Sequence, residues 1–279
     1  MSDMASIRAV IASTERTKKI TSAMQLVASS KMAKSQRSMS SARPYADTIS
    51  KLMQKVAESY EGLHPFFEKR SSKKTVYIVI SSDRGLCGGL NVVLFKNLIK
   101  VIKETKQENI CAIGNKAKHF FRRIGGNVLA EATHLGDQPS KKSIDQVIKP
   151  ALDGFLAGEF DEVHLVYNKY VNVMTQEPTI TKLLPIEKVS QEKTNWDYIY
   201  EPDAKSIIDK FVYKYIDSVV YKAILENIAC EQAARMIAMK SATDNAQTVI
   251  DELNLAYNKA RQTVITTELS EIIAGADAV

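Results

Sequence analysis

Small and apolar residues recur every three or four positions along the last quarter of the chain. From Cys230 onward the series runs Ala234, Ala238, Ala242, Ala246, Val249, Leu253, Ala256, Ala260 and Val264, and Ile208, Val212, Tyr215 and Val219 precede it. This is the period with which an α-helix gathers side chains into one stripe. The N-terminal arm has the same period in Ile7, Ile11, Ile20, Met24 and Val27, and again after Pro44 in Ile49, Leu52, Val56 and Tyr60. The stripes are narrow, which suits helix-on-helix seams better than burial in a globule.

Glycine and proline sharpen the picture. The first glycine is Gly62, no proline follows Pro202, and the 72 residues from Asp203 to Ala274 contain neither. Ordinary helices run about 11–12 residues. The stretch therefore predicts one very long helix, on the order of 100 Å at about 1.5 Å per residue. A lone helix of this kind needs a partner to cover its stripe. The N-terminal segment, residues 1–62, is that partner, and with a compact domain inserted between them the two helices would pack antiparallel as a coiled coil. Two separate helices of a bundle are the alternative.

Between Ser71 and Pro202 the period changes. Thr75 to Ser82 is a β-branched apolar run of the kind that forms a buried parallel strand. It leads through the turn Asp83-Arg-Gly-Leu-Cys-Gly-Gly-Leu-Asn91 into a helix over 92–105. Strands at 109–113 and 128–133 then alternate with helices at 115–124 and 143–156, and strands at 162–173 and 179–186 close the domain as a hairpin. This alternation predicts an α/β, Rossmann-like domain over 71–202. The C-terminal helix occupies 203–279.

Composition adds a charge asymmetry. The chain has 279 residues and a net charge of +6, and residues 1–60 alone hold ten Lys/Arg against four acids. From Asp203 onward the balance reverses, with eight basic residues against eleven acidic. A positive and a negative arm bracket a neutral middle. Cys87, Cys111 and Cys230 show no CxxC spacing, which argues against a disulfide framework or a zinc site. With no secretory pattern at the start and no membrane-spanning run, the sequence reads as soluble and intracellular.

The chemistry expected of an enzyme does not assemble. The glycines after the first strand fall at 85, 88 and 89, giving G-x-x-G-G, and no G-K-[ST] follows, so neither dinucleotide nor P-loop binding is indicated. Ser81-Ser82-Asp83 is not a nucleophile elbow. The four histidines are scattered. Cys87 between glycines suggests a nucleophile, but its surroundings supply no His-acid set. Asp83 and Arg84 either cap the turn or present a polar knob to a partner. The basic arm is open to three readings: a solvated helix face, a phosphate-binding series for nucleic acid, or a shaft meeting acidic protein surfaces. It lacks aromatic residues to interleave with bases.

Several segments together resemble the gamma subunit of ATP synthases. They are Ile20-Thr-Ser-Ala-Met-Gln-Leu-Val-Ala-Ser-Ser-Lys-Met32, Arg43-Pro-Tyr45, Ser82 to Asn91, Glu231-Gln-Ala-Ala-Arg-Met-Ile-Ala-Met-Lys-Ser-Ala-Thr-Asp-Asn245, and Asn258 to Ala276. The likeness runs in register from about residue 5 to the C-terminus. The inserted cysteine pair of the light-regulated chloroplast form is not visible, and a bacterial type is expected.

The resemblance implies a central rotor shaft that transmits torque between a membrane c-ring and a hexamer of alpha and beta subunits, with one copy per complex. It implies no bond chemistry and no cofactor or metal, contact with the epsilon subunit and c-ring, and no nucleic-acid partner. Membrane association would come only through the complex, on the cytoplasmic face of a bacterial plasma membrane. By the same resemblance, Met24 would face a lever segment of beta, with a plain coiled-coil seam as its alternative. Arg261, Gln262, Thr266 and Glu268 would form a catch on beta-subunit loops; read alone they are an exposed helix face. Asp83, Arg84 and Cys87 are candidate partner contacts in the central loop, and Lys31, Arg235 and Lys240 are secondary ones. A coiled-coil scaffold or nucleic-acid binder using the basic arm is the competing function.

Overall fold

A computed structural model describes residues 2–59, 64–70, 74–105, 109–137, 139–186 and 204–277. The helix end expected at Tyr60 to Gly62 and the boundaries expected at 71 and 202–203 lie outside these residues. The elements are α1 (Ser2–Ser59), a 3-10 turn (Pro65–Phe67), β1 (Thr75–Ile80), α2 (Leu90–Thr105), β2 (Asn109–Ile113), α3 (Asn115–Arg123), β3 (Asn127–Ala132), α4 (Lys141–Leu156), β4 (Glu162–Tyr170), β5 (Gln176–Leu184) and α5 (Ala204–Asp277). The chain divides into two compact units, Met1–Ser29 with Arg235–Val279, and Ser30–Ala234.

In the first unit α1 and α5 run antiparallel. Arg8 donates to the Tyr257 hydroxyl at 2.5 Å, Lys18 donates to the Gln247 side chain, and the hydroxyls of Thr21 and Thr243 lie 2.8 Å apart. Residue numbers rise on one helix as they fall on the other. Ala28, Met239, Ala246 and Ile250 are buried along the seam. The alanine ladder keeps the two backbones close, so polar side chains at the rim reach across.

In the second unit the sheet order is β3-β2-β1-β4-β5. β1 pairs in parallel with β2 and β4, β2 pairs in parallel with β3, and β5 returns antiparallel on β4, forming the expected hairpin. Every residue of β1 is buried, as a central strand covered on both faces requires. One face carries Tyr77, Val79, Ile110, Ala112 and Val166 against α2 and α3. There Phe95 stacks on Phe120 with ring centroids 4.7 Å apart and meets Phe121 edge-on at 5.5 Å. The other face packs Val76, Ile78, Ile80, Val163 and Leu165 against α4 and against stretches of α1 and α5 that include Met53, Val56, Val212, Ile216 and Val220. Full burial of each such side chain contributes about 1.5–3 kcal/mol.

Here too α1 and α5 are antiparallel, joined by Lys222 to Asp47 at 2.7 Å and Arg43 to Glu226 at 3.2 Å. Pro44 lies between these pairs, yet α1 continues through it. Proline removes one helical hydrogen bond and crowds the carbonyl four residues back. The buried flanking residues Met39, Ala46 and Ile49 hold the helix while Pro44 itself faces outward.

Candidate partner-contact surfaces

The central loop, Ser81 to Gly89, is built from below. Asn91, at the start of α2, accepts from the Ser82 backbone N–H at 3.2 Å, and its amide donates to the Ser82 hydroxyl at 2.7 Å and to Cys87 Sγ at 3.4 Å. The Ser82 hydroxyl in turn donates to the Arg84 carbonyl at 2.8 Å. Cys87 is 3% exposed and packs with Met39, Leu90, Tyr170, Leu225, Ala229, Cys230 and Ala233. Its near neighbours are an amide and a hydroxyl, neither of which is a base that would activate the thiol.

The same loop satisfies the N-terminus of α3. The Asp83 carboxylate accepts from Asn115 N–H at 2.9 Å, the Ser82 carbonyl from Lys116 N–H at 3.1 Å, and the Ser81 hydroxyl from Ala117 N–H at 2.8 Å. These are the donors that a helix start leaves unpaired. Asp83 therefore does cap a helix, but one more than thirty residues away. Gly114 permits the close approach: its φ is +98°, and a Cβ there would meet the Ser81 carbonyl oxygen at 2.3 Å. What the loop turns outward is Arg84 and Leu86; Leu86 is 60% exposed and held at φ +63°. The sequence pattern does not single out Leu86: Gly85 marks a turn, but only the burial of Cys87 makes Leu86 its outward tip.

On α5, Arg261, Gln262, Thr266 and Glu268 are all exposed. The Thr266 hydroxyl donates to the Gln262 carbonyl at 2.9 Å, one turn back along the helix. Arg261 and Glu268 are seven residues apart and so share a face. Exposed Ile265, Leu269, Ile272 and Ile273 accompany them. With Arg8 opposite Tyr257, Ser2 falls opposite about residue 263, so Arg261 and Gln262 lie alongside the first turn of α1 and Thr266 and Glu268 lie past it.

Met24 does not join this group. The Thr21–Thr243 pair sets it opposite the stretch near Lys240, some thirty ångströms from Arg261 at about 1.5 Å per residue. It is half-buried, while Lys240 is exposed. Lys31 pairs with Asp137 at 2.9 Å, and Arg235 is 8% exposed. Both are held by their own chain more firmly than the basic pattern suggested.

Burial sets the titration of the remaining reactive groups. It pushes the Cys111 thiol up to about 12 and raises Cys230 further. Tyr167 also rises to about 12, through burial first and the neighbouring Glu226 charge second. Among the described residues no three His, Cys, Asp or Glu side chains are grouped to hold a metal, and no helix is long and apolar enough to cross a membrane.

Comparison with known proteins agrees with these features. The ATP synthase family model matches residues 3–279. The ATP synthase gamma chain of Nitrosococcus oceani is 50% identical over 282 residues, and that of Legionella pneumophila 49% over 281, each alignment covering 98% of both chains. Among solved structures, the central stalk/c-ring of the Tetrahymena thermophila mitochondrial ATP synthase gives a TM-score of 0.64 at 24% identity, over 80% of this chain and 99% of that one. The rotor of the Euglena gracilis mitochondrial ATP synthase gives 0.67 at 18%, over 95% and 99%. These structures share the fold, and the two relatives are about half identical to the chain over 98% of its length. The chain belongs to the family of ATP synthase gamma chains, the central-stalk subunit of that complex.

Proposed function

We propose that the chain works as a rotor shaft that transmits torque between an ion-driven c-ring and the catalytic alpha–beta hexamer, and that it carries out no bond chemistry itself. The observation that carries this reading is the antiparallel α1–α5 pairing, which ends in an exposed stretch of α5 bearing Arg261, Gln262, Thr266 and Glu268. Two helices locked by side chains across their seam resist relative sliding, and a one-sided tip offers different contacts to successive copies of one partner. Such differential contact is the thermodynamic requirement for driving a partner through distinct states.

In this scheme residues 1–62 and 203–279 form the shaft and 71–202 the base. Alpha and beta engage the shaft, epsilon and the c-ring the base, with one copy of the chain per complex. The assembly lies on the cytoplasmic face of a bacterial plasma membrane. Met24 meets beta along the shaft, and Arg84 with Leu86 forms the outward contact of the central loop, supported by Asp83 and Cys87 beneath. The competing nucleic-acid reading is weakened because Lys18 and Lys31 are engaged by Gln247 and Asp137.

Affinity isolation of the tagged chain from membranes tests the proposal. Alpha, beta and epsilon recovered at three to three to one per tagged chain, with ATPase activity present only when alpha and beta are, is the expected result. Nucleotide hydrolysis by the chain alone, or its recovery free of those subunits, would overturn it.

A further inference from the structure

The outer helical layer of the sheet is strongly cationic. α2 and α3 together hold seven Lys and Arg against one acid, Glu104. Lys96, Lys100 and Lys103 are all exposed, and their i, i+4, i+7 spacing sets them on one stripe of α2. Lys116 and Arg123 are likewise exposed and seven residues apart on α3. The two helices lie side by side, joined by the Phe95–Phe120 stack.

Two acidic groups on this side of the sheet, Glu131 and Glu162, are already engaged by their own neighbours. Glu131 takes Lys118 and Arg122, each at 2.7 Å. Glu162 takes His164 at 2.9 Å and Lys182 at 3.0 Å. Burial alone would raise the Glu162 carboxyl, but these hydrogen bonds outweigh it and hold it below the usual carboxylate range. Neither acid is left to neutralise the outward stripe.

We infer that the α2–α3 layer is a docking surface for anionic phospholipid headgroups, in addition to any hold the complex provides on the membrane. Three features favour lipid over other anionic partners. Four of the five outward cations are lysines, compact hydrated charges that suit diffuse attraction more than the bidentate recognition Arg supplies. Lysine is also depleted at the cores of protein–protein interfaces. Single-stranded nucleic acid would need aromatic faces for stacking, whereas Phe95 is buried and committed to Phe120 and Phe121. At the N-terminal end of the α2 stripe, Val92 and Val93 are 54% and 48% exposed, small apolar groups that fit a headgroup boundary. Each lysine near an anionic bilayer strengthens binding about five-fold, and salt screens the attraction beyond about 10 Å.

The test is co-sedimentation of the purified full chain with vesicles of equal parts phosphatidylglycerol and phosphatidylcholine, compared with phosphatidylcholine alone. The triple variant K96Q/K100Q/K103Q should bind the anionic vesicles about a hundred-fold more weakly, while K19Q/K34Q/R37Q, which removes as many exposed charges from α1, should bind like the unaltered chain. Equal losses in the two variants, or equal binding to both vesicle types, would overturn the inference. So would unchanged vesicle binding by the α2 variant together with its loss from the assembled complex, which would assign the layer to an acidic protein. Assembly with alpha and beta is scored separately, so failure of lipid docking leaves the rotor reading standing and failure of assembly does not imitate it.

Discussion

Arg43 on α1 holds one carboxylate oxygen of Glu226 on α5, Nη2 to Oε1 at 3.2 Å, and the second oxygen, Oε2, is buried with no hydrogen-bond partner among the described residues. Glu226 is 2% exposed, whereas the Arg43 side chain is 38% exposed. Removing the arginine strands a buried charge, and breaking such a pair costs about 3–5 kcal/mol. Arg43→Met should lie near the lower end of that range because solvent already reaches the guanidinium. Replacing both, as R43M/E226M, should recover most of the loss. Denaturant unfolding of the two variants checks this, and a double variant no better than the single would refute it.

Gly114 should tolerate no side chain. Its φ is positive, and a Cβ added there would sit 2.3 Å from the Ser81 carbonyl oxygen. Gly114→Ala therefore strains the backbone and forces the β1–α2 loop off the start of α3. A loss of about 3 kcal/mol is expected, read from the shift of the unfolding midpoint.

His64 links stability to pH. Its Nδ1 accepts from Phe66 N–H at 3.2 Å, and its ring lies 4.7 Å from that of Phe66. Burial lowers its pKa below the usual value near 6.5, with Asp209 opposing only in part. The unfolded chain therefore takes up the proton first on acidification, so stability falls as pH drops through 6.5 toward the native value. His64→Asn should flatten that part of the curve. Thermal midpoints between pH 8 and 5.5, measured for both chains, supply the comparison.

At the tip of α5, R261A/Q262A removes a charge and an amide from an exposed face without touching the buried seam. In the reconstituted complex ATPase turnover should fall about ten-fold or more while subunit composition stays unchanged. Full activity in the double variant would take the catch away from these residues.

Met24→Lys places a cation at a half-buried seam position that is proposed to face a beta lever. The ratio of ion pumping to hydrolysis should fall several-fold with the complex intact. An unaltered ratio would confine Met24 to packing.

The long helices were legible because seventy-two breaker-free residues with a helical period admit little else. The strand–helix alternation gave the sheet and its terminal hairpin to within a few residues. Pro44 was harder to read, since local rules end a helix there and only burial of Met39, Ala46 and Ile49 keeps α1 going. Capping of α3 by Ser81, Ser82 and Asp83 was invisible because it depends on contacts across the fold. Cys87 pointed inward for the same reason: a cysteine in a glycine-rich turn reads as exposed until Asn91 and Tyr170 close over it. The spacing of Lys96, Lys100 and Lys103 is plain in the sequence, yet the larger charge excess of the N-terminal arm masks it.

The bare end of α5 has a consequence for the cell that makes it. Ile265, Leu269, Ile272 and Ile273, between 47% and 68% exposed, form a greasy flag on any copy synthesised in excess of the rest of its complex. Surplus chains would be prime clients for chaperones and proteases, so production matched to that of the other subunits is a demand written into the last turns of the helix.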